Sequence, residues 1–103
     1  MKIAKKNQAQ EFKNSELCIV HEYLTGDKDI SGVVSEIKGR YPEKGWVVNE
    51  VCKELVYVFD GAGIIGLESG ETKLNIGDMI ILDSGEKFYW GGNMKMFVSC
   101  TPA

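Results

Sequence analysis

No segment of this 103-residue chain carries an apolar stripe at the 3.6-residue period of a helix. Short β-forming runs recur instead at close intervals, separated by turn clusters rich in Gly, Asp and Ser. A chain punctuated in this way has one broad solution, an antiparallel barrel or sandwich. The runs are residues 16–23, 30–37, 46–48, 54–59, 64–68, 72–76, 79–82, 87–90 and 94–100. Gly32 inside the second run suggests a bulge. Asp60-Gly61 between two β-rich runs reads as a hairpin turn. Residues 1–14 are polar and aperiodic, an extended arm or a loosely held first strand, so the domain proper is expected over 15–103.

Composition narrows the function classes. A net charge of −3 with both signs spread along the chain offers no clustered basic face, which argues against nucleic acid as a partner. Lys2, Lys5 and Lys6 read as a solvated terminus. No apolar run approaches the length of a membrane span, and no apolar core follows the first lysines as a secretory signal requires. Cys18, Cys52 and Cys100 are odd in number and lack metal-ligand spacing, so they read as reduced thiols of a cytoplasmic protein. Cys52, beside Lys53, is the one position where a thiolate is favoured, although no His base adjoins it.

Two stretches carry a more specific pattern. In the first, Glu54 precedes Gly61 by six intervening residues. In the second, Gly77-Asp78 is followed by Gly85 and then by Phe88. Together they resemble the two motifs of the cupin superfamily over roughly residues 30 to 100. The resemblance implies a small single-domain cupin, an all-β antiparallel jelly-roll barrel. It also implies where a metal box would sit: two His just before Glu54, and one at the place of Phe88. Those first places hold Val48 and Glu50, or Val47 and Asn49, depending on the gap chosen. The motif Pro is replaced by Asp83. The chain has a single His, His21, far upstream on another run. The expectation is therefore a cupin scaffold with no metal and no cofactor. A hard-cation site from Asn49, Glu50 and Glu54 is the weaker alternative, since oxygen ligands suit Mg or Ca.

If Glu54 faces the interior, Val56 and Val58 do so as well, and Leu55, Tyr57 and Phe59 face outward. A one-residue slip inverts that assignment. An outward Leu-Tyr-Phe stripe suggests a covered face, against either the second sheet edge or a subunit partner, and the resemblance to cupins implies a homodimer. The candidate ligand site gathers Trp46, Asn49, Glu54, Phe88 and Trp90 at the barrel mouth, with Arg40 from the loop 39–45 as a clamp for a carboxylate or phosphate. Asn49 joins this site only if a bulge shifts the alternation before Glu54. The same aromatics serve equally as filler for a small barrel. The expected function is binding of a small molecule, a sugar derivative or small acid. The alternatives are acid–base isomerase or epimerase chemistry on Glu54 and a dimeric interaction module, so whether the chain is an enzyme stays open.

Overall fold

Two long strands organise the molecule, and each belongs to both layers of the fold. A computed structural model describes residues 1–103. A single 3-10 turn, Lys6–Gln8, precedes eight strands. These are β1 (Gln10–Ser15), β2 (Cys18–Tyr23), β3 (Ser31–Lys38), β4 (Val47–Val48), β5 (Lys53–Leu67), β6 (Gly70–Leu74), β7 (Met79–Leu82) and β8 (Lys87–Thr101). All pairings are antiparallel, in the order β1-β2-β3-β8-β5-β6, with β4 on β8 and β7 on β5. The first layer is β1-β2-β3, the second half of β8, the first half of β5, and β7. The second layer is β4, the first half of β8, the second half of β5, and β6.

The expected hairpin at Asp60-Gly61 is absent: residues 54–59 and 64–67 belong to one strand, β5. The glycine acts at a bend. The ladder with β8 shifts register between Val58 and Asp60, and Gly61 holds φ +76° there. Gly92 on β8, at φ +92°, bends opposite Gly63. Residues 87–90 and 94–100 are likewise one strand. The bulge expected at Gly32 is also absent, because its register runs unbroken on both sides. Gly32 is needed for space instead: a Cβ there would meet the Phe97 ring at 3.3 Å.

Bending folds the sheet onto itself, but the ladder does not rejoin. The structure is thus the expected antiparallel jelly roll, open at its edges β1 and β6. Between the layers, strand alternation delivers Cys18 and Val20 from β2, Ile37 from β3, Val56 and Val58 from β5, and Met94, Met96 and Val98 from β8. Val56 and Met96 are fully buried, and burying side chains of this size contributes roughly 1.5–3 kcal/mol each. Leu55, Tyr57 and Phe59 alternate with them and stand 37–41% exposed. No helix is long and apolar enough to cross a membrane.

Candidate functional site

The two layers do not meet everywhere. A cavity of about 460 Å³ opens between them. Phe88 and Trp90 occupy alternate positions of β8 and form one wall, with ring centroids 5.5 Å apart and nearly edge-to-face at 70°. Tyr41 lies beside them, because its backbone forms a two-way bridge to Trp90. The opposite wall comes from β2, β3 and the second half of β8, where Val20, Ser35 and Met96 share one cross-strand row. Carboxyl and amide groups also line the space: Glu22 on β2, Glu54 on β5, and Asn49 and Glu50 from the β4–β5 connection.

Glu54 enters the cavity because β5 alternates inward at 54, 56 and 58. Burial raises its carboxyl above the usual glutamate range, and a hydrogen bond with the Asn49 side chain offsets part of that rise. The Asn49 Oδ1 is already occupied, accepting from the amides of Val51 at 3.2 Å and Cys52 at 2.9 Å. This side-chain turn ends β4 and aims the amide at Glu54. Gly85 anchors the same loop by donating its N–H to the Asn49 carbonyl at 2.7 Å.

Cys100 stands directly across the ladder from Glu54, and its thiol reaches Glu54 Oε1 at 4.0 Å. Burial, then the charges of Glu54 and Cys52, push the Cys100 thiol up to about 11, with Ser31 as a minor opposing donor. That thiol stays protonated at neutral pH and is a poor nucleophile. Burial also raises the Tyr41 hydroxyl and the Cys18 thiol. Cys52 donates its thiol hydrogen to the Pro102 carbonyl at 3.1 Å, while its neighbour Lys53 pairs with Asp83 at 3.3 Å. The lysine expected to favour a thiolate there is engaged elsewhere.

Of the six residues singled out by sequence, Asn49, Glu54, Phe88 and Trp90 line the cavity. Trp46 and Arg40 do not. Arg40 stacks at 4.0 Å over the Tyr89 ring and donates to the carbonyls of Pro42 and Gly45. Trp46 packs on the other part of that ring, 5.5 Å between centroids, and is 41% exposed. Tyr89 points away from the cavity because it alternates with Phe88 and Trp90, and it hydrogen-bonds Glu71 on β6. The loop and Trp46 thus clamp the outside of the second layer. Glu22, Ser35, Tyr41 and Cys100 are cavity residues that sequence reasoning did not select. The alternation Cys18-Val20-Glu22 was the available signal for the first of these.

The cupin fold raises the question of a metal. His21 faces outward on β2 and sits 3.6 Å from Glu11. No three His, Cys, Asp or Glu side chains converge in an arrangement that could hold an ion. The cavity's polar lining is carboxyl, amide, hydroxyl and thiol without imidazole, which does not fit the nitrogen-rich set that transition metals prefer.

No family model matches the sequence, and no curated protein matches it. Solved structures do share its architecture. The Streptomyces protein Pac13, a nucleoside dehydratase, superposes with a TM-score of 0.85 at 19% identity, covering 97% of this chain and 81% of that one. Variants of Pac13 have been solved with uridine. An RmlC-like cupin from Shewanella frigidimarina gives 0.78 at 12% identity, over 98% and 90% of the two chains. Ectoine synthase from P. lautus gives 0.73 at 21% identity, over 86% and 67%. The chain therefore has the cupin fold.

Proposed function

We propose that this protein binds a small molecule between its two layers. The observation that carries the reading is the cavity itself. Aromatic walls at Phe88, Trp90 and Tyr41 face a few polar groups at Glu54, Asn49 and Ser35. Small-ligand sites are commonly built in this way, with apolar surface for affinity and few polar groups for orientation. The volume of about 460 Å³ falls within the range such sites occupy. Fold neighbours that include a nucleoside dehydratase and ectoine synthase support a role with small molecules. The three free thiols support a reducing compartment such as the cytoplasm.

A thermal-stabilisation screen tests the reading. A ligand at one hundred times its Kd adds about 2.7 kcal/mol, a rise in Tm on the order of 10 °C for a domain of this size. Binding should also shift the emission of Trp90. A broad screen that yields neither signal would sink the proposal.

A second reading keeps Glu54 as an acid–base group. It is favoured by the burial that raises this carboxyl above the usual glutamate range. Glu54→Gln should then abolish turnover of any substrate identified while leaving its affinity within a few-fold.

A further inference from the structure

The charged side chains lining the cavity are all of one sign. Glu22, Glu50 and Glu54 contribute to it, and no Lys, Arg or His does. None of the three carboxyls forms an ion pair. Lys53, the basic residue nearest in sequence to Glu50 and Glu54, is committed to Asp83. Glu22 and Glu54 lie at one end of the interior. Glu22 pairs with Val33 on β3, Val33 with Val98 on β8, and Glu54 with Cys100 just beyond. Both carboxyls thus stand on the first layer, at the same end of the cavity.

A second observation points into the same space. Ser35 is only 8% exposed and lines the cavity one cross-strand row below Glu22. Its hydroxyl offers a neutral polar contact to whatever occupies the space. The aromatic wall adds a third element. Phe88, Trp90 and Tyr41 present π-systems, whose negative faces attract positive charge. An anion entering here would meet like charge with no compensating cation. A cation would meet carboxylates at the opening and ring faces beyond.

From this arrangement we propose that the ligand of the barrel is a small organic cation, an alkylammonium or quaternary ammonium compound. The proposal rests on the reading of the cavity as a binding site and narrows it to one charge class. It also removes the small acid from the expected ligands and gives Arg40 no role as a clamp. Entry of a cation would favour ionised Glu54, offsetting the burial that otherwise disfavours the carboxylate.

The test uses the intact chain and three compounds of nearly equal shape: choline, its uncharged isostere 3,3-dimethylbutan-1-ol, and the anion 3,3-dimethylbutanoate. Titration calorimetry should give choline a Kd at least about tenfold below that of the alcohol, a difference of about 1.4 kcal/mol, with no measurable binding of the anion. In Glu22→Gln and Glu54→Gln, each a near-isosteric change, choline should weaken toward the alcohol while the alcohol is unchanged. Equal or tighter binding of the alcohol, or any binding of the anion, overturns the charge assignment. If none of the three binds while other uncharged compounds stabilise the protein, the cation is refuted and the cavity reading survives. If nothing binds at all, both fall.

Discussion

Replacing Gly61 by Ala should cost far more than the same change at Gly77, and the difference measures how tightly the bend in β5 is built. Both glycines have positive φ, +76° and +94°. Each substitution therefore incurs a conformational cost of about 1–2 kcal/mol. The surroundings differ. At Gly77 a Cβ would meet nothing within 4 Å. At Gly61 it would run into the carbonyl oxygen of Asn93 and lie 2.9 Å from the Met94 Cα. These are backbone atoms of the neighbouring strand and cannot rotate aside, so β8 must shift along the ladder. Overpacking of this kind costs about 1–3 kcal/mol more. The expected total is about 2–5 kcal/mol for Gly61→Ala against about 1–2 kcal/mol for Gly77→Ala. For a domain of this length that separates the two Tm values by roughly 10 °C. Urea unfolding is the assay of choice, because an unchanged m value shows that both variants lose stability and not compactness. If Gly61→Ala costs no more than Gly77→Ala, then β8 does not pack against the bend as described, and the two-layer path of β5 is wrong.

Two further outcomes follow from residues described above. Because burial raises the Glu54 carboxyl, the folded chain holds that proton more tightly than the unfolded chain. Its contribution to stability is present at low pH and is lost as pH climbs through the raised value. Thermal unfolding of Glu54→Gln should thus gain on the wild type as pH rises from about 4 to about 8, and a widening deficit would refute the buried carboxyl. On the outer face, Met79, Tyr57 and Phe97 form one cross-strand row, with Leu55 and Ile81 beside it, all 37–60% exposed. We propose that a second copy covers this face. A stable pair needs roughly 800 Å² buried per partner, so sedimentation should show a dimer for the wild type and a monomer for Phe97→Glu; a wild type that stays monomeric at high concentration ends that idea.

Strand-like runs and inward-facing positions were legible from alternation, which is local. Glu54, Val56 and Val58 share a face for that reason, as do Phe88 and Trp90. Whether a turn-forming dipeptide reverses the chain was not local. Asp60-Gly61 serves a bend as readily as a hairpin, and what decides is the strand alongside. Here β8 has flexible glycines of its own at 91 and 92, so the ladder continues through the corner. Arg40 and Trp46 illustrate a second limit. Their direction is set by the Tyr89 ring, which fills the space above Gly66 on β5 and leaves a platform for both. Nothing in residues 39–46 themselves encodes that platform. Glu22 was missed for a different reason: its alternation was visible, but its run carries neither motif.

The sharing of β5 and β8 between the layers also bears on how the chain acquires its structure. Their ladder joins Leu67 to Phe88 at one end and Lys53 to Thr101 at the other, with β6 and β7 lying between them in sequence. Contacts so distant along the chain require a large loss of loop entropy before they are rewarded, which places folding in the slow regime typical of β-barrels, about milliseconds to seconds. Neither layer has an independent central pair, since each borrows half of the same two strands. The molecule should consequently fold and unfold in a single cooperative step, with amide protection across β5 and β8 lost together and both walls of the cavity arising at once.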